Sequence, residues 1–296
     1  MKSLLFSFLK KLARCCPDFL TDIARIPGIT ALYEFLYQKT KPQGVILIEC
    51  EGNKMCVNTE DRYIAPLLIM QAYERQQTQL LKGLLKPGMV VLDIGANIGY
   101  YALIMAHVVG PSGKIYAFEP EPRNYDLLVM NVSLNGYTNI ITVQKAVSNR
   151  HGKAKLFLDD RNLGGHSLSI GDESAESIEV ETTTVDDFLR EAMEERKIDI
   201  VRMDVEGAEG LVIEGASHAL EDSHIKVILE FCPRQLRNLG TDPRQLLRDL
   251  RDLGFRIIVI DEFNRSIRSI EGMDIIKACE EARYDHLDLF LERVKP

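Results

Sequence analysis

This sequence of 296 residues contains no Cys-X-X-Cys pair, no long basic tract and no apolar run long enough to span a bilayer. The six cysteines, Cys15, Cys16, Cys50, Cys56, Cys232 and Cys279, are too sparse for a disulfide framework. Reduced thiols of a cytoplasmic protein account for them, and their spacing supplies no zinc site. A net charge of -8 argues against a general nucleic-acid surface. With 46% hydrophobic and 27% charged residues, the composition is that of an ordinary globular protein, large enough to bury a full core.

The first 16 residues, "MKSLLFSFLKKLARCC", carry Lys2, Lys10, Lys11 and Arg14 with no acid, and Leu5, Phe8, Leu9 and Leu12 fall on one helical face. The apolar stretch is short, interrupted by Ser7 and lacks a small-residue cleavage site, so it reads neither as a signal peptide nor as a span. It suits a helix docked on the domain or a partner, with peripheral membrane contact as the alternative. Residues 1–62 form an extension in which helices broken at Pro17, Pro27-Gly28 and Pro42 precede a hairpin of "VILIEC" and "KMCVN".

Residues 63–296 read as one Rossmann-like α/β domain. A helical pattern over Tyr63 to Leu85 leads into "VVLDI", after which strands "KIYAFE", "IITVQ", "IDIVRMD", "IKVILEF" and "FRIIVI" alternate with helical segments. That alternation predicts a doubly wound, mostly parallel sheet, and "HLDLFLER" reads as an antiparallel strand. Within it, residues 153–184 form an insertion. "KAKLFL" and "SIEVETTTV" are extra strands flanking the polar "GGHSLSIGDESAES", expected as a mobile loop over the carboxyl ends of the sheet or as an inert surface loop.

The densest stretch is "VVLDIGANIGYYALIMA". A buried strand from Val90 meets a helix through Gly95 and Gly99, a turn whose amides are expected to point outward against a ligand. A Walker-type phosphate loop fails because no Gly-Lys-Ser/Thr follows. The dinucleotide fingerprint fails because Gly95-Ala96-Asn97-Ile98-Gly99 lacks its middle glycine. Asp93 at the strand end would repel a pyrophosphate and attract an ammonium group, and Glu119 closing the next strand suits the two hydroxyls of a ribose. A ribose and an amino group on one ligand point to S-adenosylmethionine. Taken singly, Asp93 also reads as a turn cap and Glu119 as a solvated strand end.

The motifs "VVLDIGANIGYY", "YAFEPEP", "NVSLNG", "KAVSN", "TTTVDDFL" and "IVRMDVEGAEGLVIEGA" stand in the order found in FkbM-type methyltransferases, and the resemblance covers about Tyr73 to Phe231. It implies a class I methyltransferase fold, a seven-stranded sheet with one antiparallel strand, and O-methylation of a hydroxyl on a sugar or other small natural product. It further implies that Asp93, Gly95, Asn97 and Gly99 line the methionine portion, that Glu119 takes the ribose, and that Ala146 and Val147 lie near the adenine. Ala96 and Pro120 complete the cofactor-binding set, and Tyr73-Glu74 resembles a family pair that would cover the cofactor. The family pattern has Asp where this chain has Asn149, and Lys where it has Arg202.

Methyl transfer to a hydroxyl benefits from a base near the methyl group. Asp204 at the end of "IVRMD" is the first candidate, Glu206 the second, and His166 in the insertion the third. Glu209 reads as a helix N-terminal charge. Asp204, Glu206 and Glu230 offer oxygen ligands of the kind Mg²⁺ or Ca²⁺ takes, but no metal is assigned. Two other readings stand beside the enzyme: a catalytically silent S-adenosylmethionine-binding scaffold or sensor, and a nicotinamide dehydrogenase.

Overall fold

Alternating strands and helices after residue 75 build an open α/β sheet in the computed structural model, which describes residues 37–159, 162–168, 176–192, 197–222, 224–262, 264–269, 274–281 and 285–293. The basic segment 1–16 and the helices expected before residue 37 lie outside the described residues, as does the part of the insertion at 169–175. The chain divides into two compact units, residues 1–75 with 160–164, and residues 76–159 with 165–296.

In the first unit β1 (Val45–Cys50) and β2 (Asn53–Asn58) pair antiparallel as expected. Their connection, Glu51-Gly52, has positive φ at both residues, as the two-residue turn matching strand twist requires. Helix α1 (Ile64–Met70) follows, and the buried Asp61 caps it. One Asp61 oxygen accepts the amides of Tyr63, Ile64 and Ala65, and the other accepts the Leu163 amide at 3.0 Å.

Helix α2 (Arg75–Leu84) belongs to the second unit from Gln76 on, and its Gln76 and Gln77 amides are accepted by the Glu262 carboxylate. There follow β3 (Val90–Ile94), α3 (Tyr100–Val109), β4 (Lys114–Phe118), α4 (Pro122–Asn135), β5 (Ile140–Val143), β6 (Ala146–Val147), β7 (Gly152–Phe157), β8 (Ser177–Thr183) and α5 (Val185–Ala192). The chain then forms β9 (Ile200–Met203), α6 (Glu209–Glu214), β10 (Lys226–Phe231), α7 (Pro233–Asn238), α8 (Pro243–Asp252), β11 (Phe255–Asp261), β12 (Ser266–Ser269), α9 (Ile275–Glu281) and β13 (Leu287–Arg293).

The main sheet has the order β12-β11-β13-β10-β9-β3-β4-β5. Strands β3, β4, β5, β9 and β10 run parallel, and β13 is antiparallel to both β10 and β11. The seven expected strands are present. An eighth, β12, adds a second reversal at the edge, and its sequence "SIRS" has no apolar alternation that would announce it. All five residues of β3 are buried, as a central parallel strand with covered faces demands. Helix α3 is apolar around most of its circumference and is buried accordingly. From β3 the chain order runs to β4 and β5 on one side and to β9 and β10 on the other, so the carboxyl ends of β3 and β9 flank the switch point where open α/β sheets bind ligands.

The insertion strands β7 and β8 form an antiparallel pair, with β6 added parallel to β8, around a small core of Ala146, Leu156 and Val180. Among the described residues, no helix is long and apolar enough to cross a membrane.

Candidate functional site

At the switch point the turn from Gly95 to Gly99 uses every one of its amides. Those of Gly95 and Ala96 donate to the Phe118 carbonyl at 3.0 and 2.8 Å, that of Asn97 to Glu119 Oε2 at 2.8 Å, that of Ile98 to Asn97 Oδ1 at 2.7 Å, and that of Gly99 to the Ala96 carbonyl at 2.8 Å. The expectation of outward-pointing amides is therefore corrected. A bound phosphate would find no donor to spare here, which agrees with the exclusion of both phosphate motifs. The glycines serve packing. At Gly95, φ is +81° and a Cβ would lie 1.9 Å from the Asp204 carbonyl oxygen; at Gly99, φ is +93° and a Cβ would lie 2.7 Å from Leu128 Cδ1.

Asp93 is fully buried at the end of β3, and its Cα partner across the parallel pair with β9 is Arg202. The guanidinium reaches Asp93 Oδ1 at 3.4 Å and the Gly95 carbonyl at 3.1 Å through Nη1, and Asp204 Oδ2 at 2.7 Å through Nη2. It also lies over the Tyr101 ring, 4.4 Å from the centroid. The negative notch foreseen around Asp93 thus contains a cation. Asp93 Oδ2 remains buried with no hydrogen-bond partner among the described residues. Burial raises the pKa of this carboxyl to about 6 against the pull of Arg202.

Glu119, also buried, accepts the Glu121 amide through Oε1 at 2.9 Å in addition to the Asn97 amide. Desolvation pushes its pKa up to about 8, with the two amides opposing. Each oxygen keeps acceptor capacity for a further donor.

The exit of β9 brings more acids together. Asp204, whose amide donates to the Ile94 carbonyl, is held by Arg202. Glu206 stands in a left-handed conformation with φ +52°, and Gln235 donates to its Oε2. Burial first and the nearby Asp204 second raise the Glu206 pKa to about 8. Glu209, the first residue of α6, accepts the amides of Val205 and Gly207 with Oε1, so it braces the loop that carries Glu206; burial moves its pKa up to about 7. Glu230, at the end of β10, lies 3.4 Å from His286 Nε2 and is raised well above the usual carboxylate range by burial and the surrounding acids. Ligand atoms of Asp204, Glu206 and Glu230 lie within 4.8 Å of one another. Each of these carboxylates already has a protein partner, in Arg202, Gln235 and His286 respectively, and no metal is assigned.

His166 Nδ1 accepts the Asp159 amide at 3.0 Å, while its neighbour Ser167 donates through Oγ to the Glu206 carbonyl at 2.6 Å, so it is Ser167 that ties the insertion to the acidic loop. Ala146 and Val147 are buried in β6, with Val147 in the central core. Pro120 is half-buried between Glu119 and Glu121. Asn149 donates to Glu214 at the surface. Tyr73 and Glu74 belong to the first unit. Sequence reasoning gave no role to Gln235 or His286 and noted Arg202 only as a departure from a pattern. The available signal was a lone cation inside the buried strand "IVRM".

Residues 93–257 match the methyltransferase FkbM domain family. The chain belongs to that family. It is an S-adenosylmethionine-dependent methyltransferase with the Rossmann-like fold described above. Relatives include methyltransferase sdnD of Sordaria araneosa, 29% identical over 56% of this chain and 73% of that protein. The 2-O-methyltransferase NoeI of Sinorhizobium fredii is 29% identical over 58% of this chain and 74% of its own length. The hexuronic acid methyltransferase AglP of Haloferax volcanii is 28% identical over 55% of this chain, and the match spans 62% of that relative. The FkbM-family cofactor fits the residues present, because a buried Asp93 oxygen without a partner suits an ammonium group and Glu119 has acceptor capacity left for ribose hydroxyls.

Proposed function

We propose that this protein methylates a hydroxyl oxygen of a small, sugar-like acceptor. The observation that carries the reading is Glu206, a desolvated carboxylate beside Asp204 at the exit of β9, directly across the switch point from the glycine turn. Support also comes from the names of two relatives, a 2-O-methyltransferase and a hexuronic acid methyltransferase.

When bound, S-adenosylmethionine supplies a methyl group already activated on a sulfonium. The chain's part is to bind, orient and move one proton. Asp93 Oδ2 would hold the ammonium end, and Glu119 would accept the ribose hydroxyls. Asp204 is fixed by Arg202 and orients the acceptor hydroxyl. Glu206, whose pKa burial raises to about 8, would take the hydroxyl proton in its ionised form. Ala146, Val147 and Pro120 complete the cofactor surroundings in this reading.

Titration calorimetry with S-adenosylhomocysteine and with NADH, followed by a screen of hydroxylated metabolites for a cofactor-dependent gain of one methyl mass, tests it. Tight NADH binding alone would return the protein to the dehydrogenase reading. Homocysteine-cofactor binding with no methylated product from any sugar or polyol would favour the scaffold.

A further inference from the structure

We propose that Arg202 is a positioning residue whose single guanidinium couples the cofactor-side acid Asp93 to the acceptor-side acid Asp204. The inference rests on the reading above, in which Asp93 meets the cofactor ammonium.

Three observations carry it. The side chain is almost wholly buried, yet it spends its two terminal nitrogens on three acceptors from two strands, Asp93 Oδ1, the Gly95 carbonyl and Asp204 Oδ2. Arginine's planar fork can serve acceptors on different sides at once, which a lysine ammonium on a flexible stem does not reproduce. The Tyr101 ring beneath the guanidinium fixes its plane. Finally, Asp93 and Arg202 are register partners on adjacent interior strands, so the bridge is built into the parallel β3–β9 ladder rather than hung from a loop.

Two consequences follow. The Arg202 bond occupies Asp204 Oδ2 and fixes its orientation, and in this reading the proton goes to Glu206. The ionisation of Asp93 also depends on Arg202. The charged groups acting on Asp93 are Arg202 on β9, Asp204 just after it and Glu119 just after β4; the two acids oppose its charge and the one cation favours it. Removing the cation leaves a buried carboxyl facing only like charge, so Asp93 would hold its proton to higher pH and lose its attraction for an ammonium.

Affinity for S-adenosylhomocysteine, measured by calorimetry from pH 5 to 9, tests this without knowledge of the acceptor. In the wild type, affinity should fall once as pH drops through about 8, where Glu119 gains its proton, and again below about 6, where Asp93 does; this second fall is the one the variants report. In Arg202→Met the fall should begin at least one pH unit higher, with affinity at pH 9 within about fivefold of wild type. Arg202→Lys should bring the onset back toward the wild-type position. Asp204→Asn should move it to lower pH, and this variant carries the test should Arg202→Met not fold. A uniform loss at every pH in Arg202→Met would mean a purely structural role and overturn the inference, as would an unmoved onset in Asp204→Asn. Failure of the wild type to bind at any pH would instead sink the cofactor reading on which the inference rests.

Discussion

Glu119 Oε2 accepts the backbone amide of Asn97 at 2.8 Å, so the acid that closes β4 also fixes the turn that closes β3. Cofactor recognition and turn geometry therefore share one carboxylate. Glu119→Gln replaces one acceptor oxygen by an amide donor facing either the Asn97 or the Glu121 amide. Above pH 8, where Glu119 is ionised, affinity for S-adenosylhomocysteine should fall by about 10- to 100-fold, in line with about 1.5–3 kcal/mol for a hydrogen bond to a charged group. Calorimetry would measure it, with circular dichroism to show that the fold persists. Affinity within threefold of wild type would remove Glu119 from the ribose site.

Glu206→Gln keeps the shape of the side chain and removes its basicity. With the acceptor in hand, turnover should drop by roughly 10²- to 10⁴-fold while cofactor affinity changes little. The wild-type rate should rise with pH as Glu206 loses its proton toward pH 8, and the variant's profile should lose that limb. A variant with the wild-type profile would pass the role to Asp204, for which Asp204→Asn is the matching measurement.

Gly95→Ala should destabilise the protein by about 2–4 kcal/mol, because its φ is +81° and the new Cβ would sit 1.9 Å from the Asp204 carbonyl oxygen. The melting temperature should fall by roughly 5–15 °C. Gly83→Ala, in a helix with nothing within 4 Å of the added Cβ, serves as the control and should leave it unchanged or slightly raised. Equal melting temperatures for the two variants would refute the packing role assigned to Gly95.

The ligand-free protein should be more stable at pH 6 than at pH 8.5. Asp93 is raised to about 6, Glu209 to about 7, and Glu119 and Glu206 to about 8, while in an unfolded chain such groups titrate near 4. Between those limits the folded state holds more protons than the unfolded one, so this contribution is complete below about pH 4 and disappears as pH rises through 6 to 8. Thermal melts across that range should show a decline with rising pH that is shallower in Glu206→Gln. A melting temperature that climbs from pH 6 to 8.5 would contradict the burial of these acids.

The sheet was legible because its strands are near-continuous apolar runs separated by helical periods, and a buried parallel strand such as β3 has little freedom to be anything else. The edge strand β12 was not, since an exposed polar "SIRS" is held by pairing with β11 and carries no pattern of its own. At the site, Asp93 and Glu119 could be placed because strand ends in this topology converge. What they touch could not. The contact of Arg202 with Asp93 depends on the register of two strands far apart in sequence, and the Gln235 bond to Glu206 on how α7 leaves β10. The turn amides misled for a related reason. Glycine spacing shows that a backbone bends, whereas the acceptors that fill its donors come from Phe118 and Glu119 on the neighbouring strand.

A turn whose N–H groups are all satisfied from within has no appetite for anions, whichever side chains surround it. A diphosphate would find no free main-chain donor in this turn, and a point substitution on the pocket wall would not supply one. To accommodate a diphosphate, the protein would have to break the Phe118 and Glu119 bonds that keep the bend in shape.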